Sequence, residues 1–482
     1  MIPHVRNTPL LLFAAVLLLG IPVHHARRAV GRRGDVEAVE AVVGAGGTVG
    51  GTVGIGQDTD EWGEEDDDED CKVVSPGESA AEEALDSGRL SDGTLDGAVL
   101  QGPVSLSVRD RGLVTTDVSP ASILREHQAW HSEEKKVNFG GETLGYVTPW
   151  HGGGYDFART FRSKLTYVSP VWYQLRGGRE RDPSQGGGNG NDSPSFYLAG
   201  GHDLDEAWVS DVRNGVGQVG QVGQGEERGG DVTKIVPRVV LELRQGSALS
   251  QADLREMAEL LVAEAVQRGY DGYVLDIPLS DGIEEFVSGI KRAASRRGED
   301  LILIQSVRPG VSLSAHLKDR LVPLIHRFSL MTYDYRPSDI PQGASHGQRR
   351  GGGGVPNSPL SWVRECVETF APGGPGSELR EKTLIGLPFY GYDNGRAITS
   401  GDVVSLLSGG NVLPGGLEWD SEWREHILSF RERGDVGGME EHVATFPTLA
   451  FIQERIDLAS ELGVGVALWE LGQGMPYWFD LL

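Results

Sequence analysis

The 482 residues carry 70 acidic side chains against 44 basic ones, a formal net charge of −26 with histidine neutral. That balance excludes a nucleic-acid scaffold, whose footprint is a basic face, and gives no general attraction to anionic lipid. Two cysteines, Cys71 and Cys366, exclude a disulfide-stapled mini-fold and a cysteine-based zinc site. Glycine supplies 69 residues, roughly twice the usual share of about 7%. The excess lies in tracts at Gly186–Asn191, Gly215–Gly230 and Gly351–Gly354. These read as loop insertions, so the folded part is shorter than the chain.

At the start of the chain, Arg6 precedes an apolar run from Leu10 to Val23, broken by Gly20 and Pro22 and followed by Arg27 and Arg28. This length suits the core of a signal peptide better than a membrane span, which needs about 20 residues. No small-x-small cleavage site stands out, so residues 1–34 read as a signal peptide or an uncleaved signal anchor. Only the anchor would hold the chain at a membrane. Either directs the remainder to the secretory pathway, with an extracellular or lysosomal destination. Residues 35–105 read as disordered: Ala38–Gly56 has no sustained period, and Asp58–Asp70 holds ten acids in thirteen positions. A block of like charge stays solvated. Asn191-Asp-Ser193 is a glycosylation sequon, disfavoured by Pro194 directly after it.

From Leu144 onward β-branched runs alternate with helical patterns. Strands are expected near Leu144–Thr148, Leu165–Leu175, Ile235–Leu241, Tyr270–Ile277, Leu301–Val307, Phe328–Tyr333, Leu384–Pro388 and Val464–Trp469. Ser250-Gln-Ala-Asp253 resembles a capping box opening a helix to Gln267, with Leu254, Met257, Leu260, Leu261 and Ala265 on one face. Further helices are expected over Glu284–Arg296, Ser361–Phe370, where Cys366 packs, and Leu449–Leu462. Eight strands alternating with helices predict an α/β fold, a (β/α)8 TIM barrel over residues 106–482 with its site at the C-terminal ends of the strands. The stretch Tyr392–Phe446 is long for a βα connection and reads as a small insertion after strand seven.

The expected strand ends carry many aromatic residues: Trp150, Trp172, Tyr173, Tyr333, Tyr335, Phe389, Tyr390 and Trp469. Flat rings stack on the apolar faces of sugars while nearby carboxylates bond the hydroxyls, so this set points to a saccharide cleft. The alternative for any single ring is core packing. His127 and His131 are four apart, the spacing of one helix face, but no glutamate follows His127 and no third ligand is evident. A zinc site needs at least three, so no metal or other cofactor is expected.

Met331-Thr-Tyr-Asp334 and Gly386-Leu-Pro-Phe-Tyr-Gly391, with Trp469 closing the last strand, resemble glycoside hydrolase family 18, the chitinase family. Gly145-Tyr-Val-Thr-Pro-Trp150 and Ser169-Pro-Val-Trp172 resemble, more closely, a particular chitinase-like member of that family. The resemblance spans roughly residues 108–482 and implies a TIM barrel that takes oligosaccharide or chitin-like glycan built from N-acetylglucosamine. On the resemblance together with the strand-end aromatics, the saccharide contacts expected are Trp150, Trp172, Asp276, Tyr333, Asp334, Tyr390 and Trp469. Within the family the resemblance also extends to a chitinase-like member that meets a protein receptor, which makes a protein adaptor a competing role.

The family's catalytic motif, Asp-Gly-x-Asp-x-Asp-x-Glu on strand four, reads here Asp271-Gly-Tyr-Val-Leu-Asp-Ile-Pro278. Alternation puts Val274, Asp276 and Pro278 on the inner face. In the family these places hold Asp, Asp and the Glu that protonates the glycosidic oxygen. Proline has no proton to give, and valine cannot tune Asp276 by like-charge repulsion. The usual Ser-x-Gly-Gly of strand three is replaced by Val236-Pro-Arg-Val-Val240. The expectation is a degenerate motif (Asp271, Asp276, Pro278) with no efficient hydrolysis. The alternative is a glycosidase whose acid has moved, with Asp281, Glu284, Glu285, Asp334 and Glu470 as the carboxylates at hand.

Overall fold

A computed structural model describes residues 98–482 other than 134–136, 178–195, 216–231, 244–247, 281, 337–354 and 435–436, together with Leu11–Leu12. The acidic run, most of the signal segment, the sequon and most of the glycine tracts lie outside the described residues.

The barrel is built from β1 (Thr143–Val147), β2 (Tyr167–Pro170 continuing as Tyr173–Gly177), β3 (Lys234–Ile235 continuing as Arg238–Glu242), β4 (Gly272–Asp276), β5 (Ile302–Val307), β6 (Arg327–Leu330), β7 (Thr383–Pro388) and β8 (Gly465–Trp469). Each is hydrogen-bonded in parallel to the next, and β8 pairs back onto β1 through Leu468 and Gly145, which closes the ring. The strands follow the expected positions to within one or two residues, except that the sixth ends at Leu330, three residues before the expected Tyr333. A parallel barrel strand is buried on both faces, which is why β1, β4 and β7 read as near-continuous apolar runs.

The two faces separate cleanly. Leu144, Tyr146, Tyr167, Val171, Val236, Val274, Ile304, Leu384 and Ala467 fill the interior. Their neighbours, among them Val168, Val239, Tyr273, Leu275, Leu303, Ile385 and Val466, face the helices in a second, larger core. Helix Gln251–Arg268 begins at a true capping box: Ser250 Oγ accepts from the Asp253 amide and the Asp253 carboxylate accepts from the Ser250 amide. It ends at Gly269 in the left-handed region, φ 65°. Helices Ile283–Ser295, Leu360–Phe370 and Leu449–Leu462 match the remaining expectations, and Cys366 is buried in the third of these four.

Between β7 and β8 the chain forms the expected insertion. It is a five-stranded antiparallel sheet in the order Arg396–Ile398, Gly391–Asp393, Met439–Phe446, Glu425–Arg433, Val412–Asp420, with helix Ser400–Ser408.

Two expectations need correction here. The folded unit starts before residue 106: the amides of Leu100, Gly102 and Val104 donate to the carbonyls of Arg125, Gln128 and Trp130. The buried Asp480 carboxylate ties this strap to the C-terminus by accepting from the Val108 and His131 amides at 3.2 and 2.7 Å. His127 and His131 share no helix face either. Helix Pro120–Glu126 ends at His127, and His131 lies beyond it in an isolated bridge with Val104. Among the described residues, no helix is long and apolar enough to cross a membrane.

Candidate functional site

The C-terminal strand ends bring together Tyr146 from β1, Arg238 from β3, Asp276 from β4, Tyr333 and Asp334 after β6, Tyr390 after β7 and Trp469 from β8. In register, Arg238 lies beside Val274, and Val240 beside Asp276. Val274, like Val236 on β3, points into the barrel. By the same alternation Arg238 and Asp276 point inward, and they form an ion pair with side chains only 12% and 20% exposed. The Arg238 guanidinium also lies over the Trp469 ring, 5.4 Å from its centre. Tyr146 and Tyr333 flank the same indole with ring centres at 5.1 and 6.3 Å.

Tyr333 continues the aromatic wall to Tyr390, centres 6.3 Å apart and nearly perpendicular. Gly386 on β7 makes room for this wall: a Cβ there would lie 2.7 Å from the Tyr333 ring and 2.6 Å from the Leu330 carbonyl. The Asp334 carboxylate accepts from the hydroxyls of both Tyr390 and Tyr392. Burial raises the Tyr333 and Tyr390 hydroxyls well above the usual phenol range, and the Asp334 carboxylate raises both further. Both therefore stay protonated, and the Tyr390 hydroxyl donates to Asp334.

Asp334 is held in the left-handed region at φ 59°. Its amide donates to Asn357 Oδ1 at 2.9 Å, and Asn357 Nδ2 donates to the Tyr390 carbonyl at 3.0 Å. The amides of Asn357 and Ser358 in turn donate to the buried Glu425 carboxylate of the insertion. Arg455, from helix Leu449–Leu462, lies 3.6 Å from that carboxylate, with both side chains 1% exposed. The insertion thus fixes the wall from behind.

Several residues expected at the site lie elsewhere. Trp172 is fully buried, faces outward, and donates its indole N–H to the Tyr155 hydroxyl at 2.8 Å while packing on Trp208 and Tyr270. Asp271 precedes β4 at its opposite end, about 16 Å from Asp276 at the usual rise per residue. Its carboxylate accepts from the Ile235 amide at 2.8 Å and pairs with Arg213, a structural role. Pro278 is exposed beyond the end of β4, so it does not line the interior with Val274. Trp150 is 66% exposed in the turn after β1.

The other carboxylates are already engaged. Glu470 is 1% exposed, bonds the Gly472 amide and faces His151 Nδ1 at 3.0 Å. Glu284 pairs with His316 at 3.2 Å, and Glu285 accepts from Gln251. Asp281 lies outside the described residues. Sequence reasoning missed Tyr146, Arg238 and Tyr392, although the alternation that places Leu144 and Val236 inside also places Tyr146 and Arg238 there. It also missed a group on the insertion, where ligand atoms of Asp393, Glu432 and His442 lie within 4.8 Å of one another. Asp393 there already meets His442 at 2.8 Å and Arg396 at 3.7 Å.

No family model matches the chain. Solved structures similar to it include a chitinase from Chromobacterium violaceum, 17% identical over 71% of this chain and 98% of that one, with a TM-score of 0.45. A mutant family GH18 chitinase from Cycas revoluta in complex with (GlcNAc)4 is 13% identical over 70% and 98%, with a TM-score of 0.48. The spore cortex-lytic enzyme SleL of Bacillus cereus is 17% identical over 73% and 75%, with a TM-score of 0.46.

Proposed function

We propose that this chain is a chitinase-like barrel of the glycoside hydrolase family 18 type that binds oligosaccharide without hydrolysing it efficiently. The observation that carries this reading is the inner face of β4. Val274 stands where the first carboxylate of a hydrolytic pair belongs. Asp276 is tied to Arg238, and Pro278 is exposed where the acid would be. General acid catalysis contributes typically about 10²–10⁴-fold, and none of the described residues at this strand end is placed to supply it. The aromatic wall of Tyr146, Tyr333, Tyr390 and Trp469, with Asp334 among its hydroxyls, supports sugar binding: rings for the apolar faces, polar groups for the hydroxyls.

The sequence runs Ser329-Leu-Met-Thr-Tyr-Asp-Tyr335, Ser358-Pro-Leu-Ser-Trp-Val-Arg364 and Trp469-Glu-Leu-Gly-Gln-Gly474 resemble chitinase domain-containing protein 1, the stabilin-interacting chitinase-like protein. On that resemblance the ligand is an N-acetylglucosamine-containing glycan met in the secretory pathway, outside the cell or in the lysosome. Binding of the full chain to a glycan array tests the reading. Selective retention of chito-oligosaccharides supports it, and an array without saturable binding overturns it.

A further inference from the structure

We infer that Arg238 occupies the place above Trp469 that a sugar ring must take, so that a saccharide reaches the centre of the barrel mouth only when the Arg238–Asp276 pair opens. The inference rests on the saccharide-binding reading and adds a gate to it.

Three observations meet at this point. First, Arg238 arises from β3 and Trp469 from β8, separated by β1 and β2 around the ring. A side chain linking them spans the centre of the mouth. Second, the guanidinium carbon is 5.4 Å from the indole centre, within the range of about 6 Å for a cation held over an aromatic face. A pyranose stacked on that face needs its carbons at roughly 4 Å from the ring atoms, so both groups cannot be there together. Third, Tyr146 and Tyr333 already flank the indole, which leaves the position held by Arg238 as the approach.

The position is held firmly. Planar guanidinium suits a carboxylate as well as an aromatic face, and Arg238 has one of each. A neutral sugar offers nothing to replace the charge–charge contact, so its binding is weakened by whatever opening the pair costs. Removing Arg238 also frees Asp276 to accept from sugar hydroxyls.

The test is calorimetric titration of the full chain with chitotetraose. Arg238→Ala should bind at least about tenfold more tightly than the wild type, as expected for releasing a largely buried ion pair. Arg238→Gln removes the cation yet keeps a donor for Asp276, and should also bind more tightly than the wild type, which keeps the test sound if the alanine variant does not fold. Wild-type binding with equal or weaker binding by the folded variants overturns the gate and leaves the saccharide reading in place. No binding by wild type or variants overturns both.

Discussion

The rings of Tyr333 and Trp469 lie within 23° of parallel with centres 6.3 Å apart, which makes them two plates of one aromatic wall contributed by β6 and β8. Trp469 is only partly buried, whereas Tyr333 is 7% exposed. The indole is therefore the more accessible of the two plates. Truncating a central aromatic anchor typically costs about 2 kcal/mol or more of binding. Trp469→Ala should weaken chito-oligosaccharide binding about ten- to a hundredfold in calorimetry, with a folded protein. Unchanged affinity would place the ligand elsewhere.

Trp172 behaves oppositely. It is fully buried between β2 and the outer helices and satisfied by Tyr155. Trp172→Ala should lower stability by about 3–5 kcal/mol, read as a lower denaturant midpoint, while the folded fraction keeps its sugar affinity. A stable variant with impaired binding would return Trp172 to the cleft.

His426 makes stability depend on acid. It is 1% exposed; Nε2 donates to the Thr116 carbonyl at 3.2 Å, and Nδ1 faces the Thr448 hydroxyl at 2.9 Å. Burial holds its pKa at about 4, below the ordinary 6.5. The folded state therefore favours the neutral ring, and the unfolded chain takes up a proton first. As pH falls from 6.5 towards 4, stability is lost, on the order of 2–3 kcal/mol from this residue. His326, also lowered to about 4 by burial, acts in the same direction. Denaturant unfolding across this window should show a steeper loss for the wild type than for His426→Gln. Parallel curves would contradict the assignment.

The barrel was legible because strands buried on both faces leave long apolar runs, punctuated by caps such as Ser250 and Gly269. The inner face of β4 followed from simple alternation. Trp172 lies near a strand end, but its phase decides its place: alternation from Tyr167, inside, through Val168, outside, turns it outward. Beyond it the phase slips. Val171 is inside, yet both Trp172 and Tyr173 face the outer core, as expected where a bulge interrupts a strand. The Arg238–Asp276 pair was not legible, because a charge on an inward position does not say which neighbour it meets. The Glu425–Arg455 support behind Asp334 joins segments too far apart in sequence for any local pattern to reveal.

Introducing carboxylates at positions 274 and 278 should not confer turnover. In Val274→Asp/Pro278→Glu, the new Asp sits directly beside Arg238 in register and should be captured by it. Position 278 lies past the strand end, and an error of even about 1 Å in a reacting group can cost about 10²-fold. The double variant should show chitinase activity near background on chromogenic chitobiose glycosides. Turnover approaching that of an ordinary chitinase would show that the cleft is still organised for hydrolysis.

Turnover measured beside binding bears most directly on the proposal that the barrel binds sugar without hydrolysing it. The full chain, titrated with chitotriose and then incubated with it, should bind the sugar and return it intact, with no release of smaller products above a protein-free control. Cleavage at a rate typical of an enzyme, about 1 per second or faster, and abolished by Asp276→Asn, would contradict the account.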